Sequence, residues 1–440
     1  MKKSLLFSFM VAGLVMMSSC TKEKVIVIGG DDSNAAQQIV LQVANTGDGL
    51  QTRAGRPLYS SEAKQTIENV KVIICKNNDN DNAVKEVKYV TTVENWNTSS
   101  TEYTTGGHGR MTTIEIPKAQ RLDEDGKYTV YAFGYHAGTE YKNLNDAIAA
   151  IAKGSEFNAN TVLNIAAGVK GEEIFAGSIT FELKKEIGFK RPVVLNRQVA
   201  GTFGYFEAVP YFEGATKLQL VAPQRNTSLV LGEFANFDLL SNGKNDGHIN
   251  FVVNGTGKAS DNDNVIYEIE LSDWFNALKD DNKDGLIDYD AANWKNPYTG
   301  NANFKTGSVF GGTFLIPFAK VGEVKTFVLK LTDNAGTEYA TWTVKLPTTD
   351  KQTVEYTLKS WGTDSFVSKS CTDITTTYNV VRNHLYGIGE RALDNPENPD
   401  KPTPDPSNPD KPEPLNKKQE LTLRVNDNWE VIHKMEIEQD

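Results

Sequence analysis

The chain is a near-continuous succession of short runs rich in β-branched and aromatic residues, and this pattern constrains its fold most strongly. Turn clusters such as KNNDNDN (76–82) and DEDGK (123–127) separate the runs, and runs bounded in this way are typical of β-strands. Helices are predicted only at 144–153 and at 271–279, the latter with Ser272 as its N-cap. The sequence therefore predicts an all-β protein, with two β-sandwich domains in series and a few short helices.

The N-terminus has the pattern of an export signal. Lys2 and Lys3 precede a short apolar run, and small residues then lead directly to Cys20. A cysteine in this position resembles the bacterial lipobox, in which the thiol is acylated with chains such as palmitate. We expect residues 1–20 to be a lipoprotein signal peptide and Cys20 to carry the lipid. The precursor would then be held at the outer membrane, with the lipid as its only membrane contact.

Net charge and cysteine content restrict the partners and the covalent chemistry. The chain has a formal charge of −11 at pH 7, which argues against nucleic acid and anionic lipid surfaces as partners. Beyond Cys20 only Cys75 and Cys371 remain. They could form one disulfide or stay as two buried thiols.

The C-terminal end combines a proline-rich stretch with an alternating tail. Residues 395–414 hold eight of the chain's 16 prolines, and we expect this stretch to be an extended linker of about 60 Å. The tail, 415–440, alternates apolar and polar residues, which predicts a half-buried strand. Whether it docks as one strand or as two, with a turn at 426–428, stays open. The apolar positions of the tail are Leu421, Leu423, Val425, Trp429, Val431, Met435 and Ile437.

A run near the start of the chain, QIVLQVA at 38–44, has the same apolar spacing as the tail. Its alternating residues are Ile39, Leu41 and Val43. The Arg53–Ala54 bond follows this run and is open to an arginine-specific protease, whereas Pro57 protects Arg56. Cleavage there would free the first strand and leave a sandwich with unpaired edges, which is a template for pairing with another chain.

Several features in this order make the chain resemble the fimbrillins, the shaft subunits of type V pili of Bacteroidales. They are the lipoprotein signal, the early arginine site, VVLNRQVAG (193–201), YNVVRNHLYGIG (378–389), the Asn/Pro/Asp linker and the final strand with Trp429. The resemblance covers essentially the whole chain. It implies two transthyretin-like β-sandwiches and removal of the first strand by an arginine-specific protease. It also implies polymerisation by donor-strand exchange, in which the C-terminal strand of one copy completes the groove of another.

Transferred to this sequence, the resemblance assigns Cys20 as the lipidated residue, Arg53–Ala54 as the scissile bond and Leu421 to Ile437 as the donor region. Other copies of the chain, minor tip and anchor subunits and the protease are the implied partners. Because the chain has both an arginine site and a tail, a shaft subunit fits better than a tip or anchor subunit. In the unprocessed monomer we expect the tail to fold back on its own chain as an edge strand or hairpin.

The expected domains follow from these features. They are the signal peptide (1–20), a propeptide with the first strand (21–53), an N-terminal sandwich (54–190), a C-terminal sandwich (191–394), the linker (395–414) and the donor segment (415–440).

Other candidate sites are weaker. DDNKDGLIDYDA (280–291) matches part of a calcium loop, but Ala291 stands where a bidentate glutamate is usual. A structural calcium site and a solvated turn are therefore both open, and no other cofactor is expected. The five histidines show no metal-binding spacing, and no catalytic motif is present, which predicts a non-enzymatic protein. The alternative function is a surface glycan-binding lipoprotein. Tryptophans such as Trp96, Trp274 and Trp361 could stack on sugars if they are exposed, but core packing is the more common use of such residues and is favoured here. The ligands of the calcium loop would be Asp280, Asn282, Asp284 and Asp288.

Overall fold

The structure is a computed structural model. It describes residues 36–44, 67–77, 84–103, 109–136, 141–158, 161–164, 171–185, 187–226, 228–230, 248–253, 257–297, 304–316, 327–345, 354–360, 366–371, 385–389, 411–416 and 420–426.

The described part of the chain confirms the all-β prediction, since almost all of its regular structure is strand. The strands are β1 (Gln37–Ala44), β2 (Asn69–Lys76), β3 (Val84–Val93), β4 (Thr101–Tyr103), β5 (Gly109–Glu115), β6 (Gly126–Tyr135), β7 (Glu156–Asn158), β8 (Val162–Asn164), β9 (Phe175–Leu183), β10 (Phe189–Arg197), β11 (Ala200–Glu207), β12 (Lys217–Asn226), β13 (Ser228–Val230), β14 (His248–Val253), β15 (Gly257–Glu270), β16 (Val309–Leu315), β17 (Val328–Thr332), β18 (Glu338–Lys345), β19 (Val354–Ser360), β20 (Phe366–Cys371), β21 (Leu385–Ile388), β22 (Glu413–Pro414) and β23 (Glu420–Asn426). The helices are α1 (Trp96–Ser99), α2 (Lys142–Ala150), α3 (Leu271–Trp274) and a 3₁₀ turn at Lys118–Gln120.

Two large sheets contain most of these strands. The first sheet has the order β4-β5-β1-β10-β9-β6-β2-β3-β7. The second has the order β15-β12-β17-β18-β23-β21-β11-β16, and β22 pairs with β11 outside this row. Smaller sheets are formed by β8 with β13 and by β14, β19 and β20. The chain passes from the first large sheet to the second at Gln198–Val199, between β10 and β11.

Strands from across the first sheet contribute side chains to one buried core. Ile39 and Leu41 of β1 belong to the same buried cluster as Val72 of β2 and Val130 of β6. These strands follow the period of two that places alternate residues on opposite faces. On β2, for example, Val70, Val72 and Ile74 face this cluster, whereas Ile73 and Cys75 belong to a second cluster that continues into the second sheet. The strand β1 is therefore part of the core of the first sandwich.

The structure corrects the second helix prediction. The helix predicted at 271–279 has only one turn, because Phe275 is extended and pairs with Trp294. The side chain of Asn293 accepts a hydrogen bond from Ala277 N and donates one to Ala277 O. These bonds satisfy the backbone groups that a longer helix would use. No side-chain cap is present at the start of α3, and Glu270 rather than Ser272 is the N-cap residue.

Cys75 is a free thiol and is fully buried. Burial raises its pKa to about 12, against a smaller opposite effect from Lys85. Of the two alternatives for this residue, the structure therefore contains the buried thiol.

Candidate functional site

The strand β1 lies inside the first sheet, between β5 and β10. It pairs antiparallel with β5 over seven residue pairs, from Gln38–Glu115 to Ala44–Gly109. It pairs parallel with β10 over seven more, from Gln37–Phe189 to Val43–Leu195. We call this position, with β5 and β10 as its two walls, the β1 slot. Both edges of β1 are hydrogen-bonded, so the strand is held along its whole length.

The apolar face of β1 is completely buried. Ile39, Leu41 and Val43 have no exposed surface, and they belong to the core cluster of the first sandwich. Burial of three such side chains stabilises the folded state by about 5–9 kcal/mol before ordering costs. On the other face, Gln38 and Gln42 are partly exposed. This strand therefore carries a substantial share of the stability of the sandwich.

Gln37 fixes the N-terminal end of β1 through its side chain, which is 1% exposed. Its Nε2 donates to the carbonyl oxygens of Leu122 at 2.9 Å and of Ile187 at 3.3 Å. Its Oε1 accepts a hydrogen bond from Leu122 N at 2.9 Å. Its own carbonyl accepts from Ile116 N at 2.9 Å. One carboxamide thus satisfies three backbone groups, of which the two of Leu122 are buried.

Both walls of the slot have few strand pairs other than those with β1. In the described part of the chain, β5 pairs with β1 and, over three residues, with β4. The strand β10 pairs with β9 only at Asn196–Ala176 and Arg197–Phe175. Without an occupant, the first sheet would separate between β5 and β10. The slot therefore needs a strand in order to remain a continuous sheet.

Charged side chains keep each wall in shape. On β5, the guanidinium of Arg110 donates to Ser100 Oγ at 2.8 Å and to the carbonyl oxygens of Asn97 and Ser100. On β10, Arg197 forms a buried ion pair with Glu173 at 2.5 Å.

A second arginine of β10 lies against an aromatic ring. The guanidinium carbon of Arg191 is 5.1 Å from the centre of the Phe181 ring, and burial lowers the pKa of Arg191. None of these contacts of Arg110, Arg191 and Arg197 uses an atom of β1, so they do not depend on the presence of that strand.

The tail strand β23 lies in the second sheet of its own chain. It pairs parallel with β18 through Thr343–Glu420, Val344–Leu421 and Lys345–Thr422. It pairs antiparallel with β21 from Leu385–Asn426 to Ile388–Leu423. This part of the tail, Glu420–Asn426, therefore folds back as expected, but it is an internal strand of the sheet rather than an edge strand. Like β1, it has one parallel and one antiparallel neighbour.

The end of the proline-rich stretch is docked on the second sheet. Leu415 is buried, its N–H donates to Glu207 O at 3.0 Å, and its carbonyl accepts from Trp342 Nε1 at 3.0 Å. Glu413 and Pro414 pair with β11. The structure thus places residues 411–416, which include the last part of the predicted linker, against the sandwich.

The other residues predicted for the site are only partly within the described residues. Ile39, Leu41 and Val43 lie in β1, and Leu421, Leu423 and Val425 lie in β23. Leu421 is fully buried. The remaining residues lie outside the described part of the chain: Cys20, Arg53, Ala54, Trp429, Val431, Met435 and Ile437.

The predicted calcium loop is held by its own hydrogen bonds. Asp280 accepts from Asp284 N at 3.1 Å and from Gly285 N at 2.9 Å. Asp288, which is largely buried, accepts from Asp281 N at 3.1 Å, and Asn282 accepts from Asp284 N at 2.9 Å. Among the described residues, no group of three or more His, Cys, Asp or Glu side chains is placed to hold a metal ion. Calcium binding stays a prediction.

Two tryptophans named for the glycan alternative lie in the core. Trp96 is completely buried and Trp274 is 1% exposed, so neither ring can stack on a sugar. Trp361 lies outside the described residues. No helix within the described ranges is long and apolar enough to span a bilayer.

The role of Gln37 was missed by reasoning from sequence. A polar residue at the start of a strand is commonly exposed, and nothing in its immediate neighbours indicates burial. The available signal was the recurrence of glutamine two residues before the apolar alternation in both QQIVLQV (37–43) and QELTLRV (419–425).

Comparisons with solved structures give matches of low identity and low TM-score. No family model matches the chain, and no curated protein matches it. The fimbrial anchor protein Mfa2 from Porphyromonas gingivalis is 11% identical, with a TM-score of 0.32, over 78% of this chain and 100% of that one. A fimbrial assembly protein from Parabacteroides distasonis is 13% identical, with a TM-score of 0.32, over 82% of this chain and 96% of that one. Likeness at this level does not assign a family or a function.

Proposed function

We propose that this protein is a structural pilin, the shaft subunit of a surface fimbrium, which polymerises when a strand of another copy replaces β1. The observation that carries the proposal is the position of β1. The strand is buried in the core and paired on both edges, yet only residues 45–66 connect it to the rest of the sandwich. The Arg53–Ala54 bond lies within this connection.

Cleavage in this connection changes β1 from part of the chain into a bound peptide. Before cleavage, the connection keeps β1 at a high effective concentration next to its slot, and a competing strand cannot gain access. After cleavage, the strand can dissociate and dilute. The empty slot then has two unpaired edges and an apolar floor, which is the arrangement that β-augmentation requires.

The occupant supplied by another copy is its C-terminal segment, residues 415–440. This segment has the apolar alternation of β1, and residues 390–410 before it provide the reach. On this proposal, the precursor is a lipoprotein acylated at Cys20 and held at the outer membrane. Processing by an arginine-specific protease releases it into the cell-surface fimbrium, where tip and anchor subunits are its other partners. The protein acts in adhesion as a structural element, not as an enzyme.

A pair of arginine variants tests the requirement for cleavage. The full chain should form high-mass ladders on denaturing gels after treatment with an arginine-specific protease. Arg53→Gln should abolish the ladders. The matched control Arg56→Gln should leave them unchanged, because Pro57 already makes that bond a poor substrate. Ladders from the Arg53→Gln chain would contradict the proposal.

A disulfide lock tests the requirement for an empty slot. Gln42 and Met111 are directly paired across the antiparallel ladder, and such pairs have separations that a disulfide can bridge. The Gln42→Cys/Met111→Cys chain, oxidised and then cleaved, should stay monomeric until a reductant is added. Gln42→Cys alone should polymerise under both conditions. Polymer growth from the oxidised double variant would show that β1 need not leave.

A further inference from the structure

We infer that residues 419–426 are the part of the tail that refills the β1 slot, and that the side chain of Gln419 takes the place of Gln37 and sets the register. This inference rests on the proposed function and names its partner surface. It starts from the hydrogen bonds of Gln37. When β1 leaves, Leu122 loses partners for both its N–H and its carbonyl, and Ile187 loses one for its carbonyl.

The chemistry of these backbone groups restricts the occupant. Leu122 is 4% exposed, so an incoming strand that lacks a suitable side chain leaves its N–H and carbonyl without partners, at a cost in affinity. The incoming strand must therefore carry a side chain that donates a hydrogen bond to the Leu122 carbonyl and accepts one from the Leu122 N–H. The carboxamides of Asn and Gln suit this requirement, because they hold an acceptor oxygen and a donor NH₂ side by side in one plane, whereas the two nitrogens of a neutral imidazole point in different directions and a hydroxyl has a single oxygen.

The tail offers a glutamine in the required register. Aligned without gaps, QQIVLQVA (37–44) and QELTLRVN (419–426) place Gln419 on Gln37 and the three apolar residues of the tail on those of β1. The two partly exposed positions of β1, Gln38 and Gln42, align with charged residues, which a half-exposed face accepts. The aligned apolar pairs are Ile39 with Leu421, Leu41 with Leu423, and Val43 with Val425.

The remainder of the tail lacks this pattern. Between Asn426 and Ile437 the only other carboxamide side chain is that of Asn428, and its parity is opposite to that of the apolar residues 429, 431, 435 and 437. A strand formed by 429–437 would fill the apolar floor of the slot but would leave the Leu122 groups unpaired. The glutamine therefore favours the first half of the tail as the donor.

The backbone of this segment already occupies a slot of the same type. In its own chain, β23 has β18 as a parallel neighbour and β21 as an antiparallel neighbour, and Leu421 is fully buried. The β1 slot likewise offers one parallel and one antiparallel wall. Assembly on this inference transfers 420–426 from the second sheet of its own chain to the first sheet of a neighbour.

Binding of a labelled peptide with residues 417–428 to the cleaved full chain tests the inference. Fluorescence anisotropy should show saturable binding, with release of the β1 fragment detected by mass spectrometry. Gln419→Ala and Gln419→Glu in the peptide should each weaken binding by about 10- to 100-fold. The matched control Glu420→Gln, at the neighbouring outward position, should change it by less than about twofold, since it alters no buried group.

The register is tested separately by a cross-link. With Met111→Cys in the cleaved chain, a peptide carrying Arg424→Cys should form a disulfide, because position 424 aligns with Gln42. A peptide carrying Thr422→Cys should react with Thr113→Cys instead, because position 422 aligns with Val40. If Arg424→Cys reacted with Thr113→Cys, and Thr422→Cys with Met111→Cys, the assignment of register would be wrong.

The outcomes separate the two proposals. If peptide 417–428 binds but Gln419→Ala binds equally well, the inference about Gln419 is wrong and the proposed function stands. If only a peptide with residues 427–440 displaces β1, the donor segment is wrongly assigned. If no tail peptide enters the cleaved chain, both the inference and strand exchange are wrong.

Discussion

On the proposed function, β1 both stabilises the precursor and closes the slot, and the substitution Leu41→Ala should separate these two roles. Leu41 is central in β1 and has no exposed surface. Replacement of a buried leucine by alanine typically costs about 2–5 kcal/mol. In the uncleaved chain, this loss should appear as a lower midpoint of urea unfolding of the first sandwich.

After cleavage the same loss acts on binding of the β1 fragment. A cost of about 2–5 kcal/mol corresponds to a fragment that binds roughly 30- to 4,000-fold more weakly. Because most affinity changes of this kind arise from dissociation rates, the fragment should leave much faster. If departure of β1 limits assembly, Leu41→Ala should therefore shorten the lag before polymers appear, although it destabilises the monomer.

The assay follows fragment retention and polymer growth on the same sample. Mass spectrometry under non-denaturing conditions reports the share of cleaved chains that still hold β1, and light scattering reports growth. Gln42→Ala is the matched control, because it changes the neighbouring, partly exposed position and leaves the backbone ladder intact. A Leu41→Ala chain that is less stable but loses the fragment and polymerises at the wild-type rate would refute the reasoning.

Three further predictions concern the framework of the slot. Arg197→Met should lower the free energy of unfolding by about 3–5 kcal/mol, because it removes the guanidinium that pairs with the buried carboxylate of Glu173. Urea unfolding would measure this, and Arg197→Met with Glu173→Gln should recover part of the loss. Gly177→Ala should destabilise the chain by about 1–3 kcal/mol or more, since the added Cβ would lie 1.9 Å from Val194 O of β10; an unchanged melting temperature would contradict it. Burial raises the pKa of Cys75 to about 12, above the value of about 8.5 for a free thiol. The protonated thiol therefore contributes fully to stability below about pH 8.5, and this contribution is lost as the pH rises toward 12. The free energy of unfolding measured across this range should decline, and Cys75→Ala should reduce the slope of that decline.

Much of the strand content could be predicted from sequence, because alternation with a period of two reports which residues share a face. The run 38–44 correctly indicated a strand with Ile39, Leu41 and Val43 on one side. It could not indicate the partners. The residues of β10 and the Ile187 carbonyl lie about 150 positions away in the chain, and periodicity carries no information about such pairing.

The absence of information about distant contacts also explains the other differences between the sequence predictions and the structure. The sequence predicts that the tail folds back as an edge strand or hairpin, whereas β23 is inserted between β18 and β21. The helix expected at 271–279 was limited to one turn by side-chain bonds from Asn293, a residue far along the loop. Gln37 is buried because two distant loops present backbone groups to it. In each case, contacts between residues far apart in the chain determine the local structure, and the neighbouring sequence does not indicate those contacts.

The mixed surroundings of β1, antiparallel on one side and parallel on the other, have a consequence for how the precursor matures. The antiparallel partner β5 precedes the parallel partner β10 in the chain, so the sheet around β1 can be completed only after residues 189–197 have been made. On the proposed function, pairing of a strand with both β5 and β10 completes each precursor and later joins one subunit to the next. A mutation in either wall that slows one of these events should therefore slow the other.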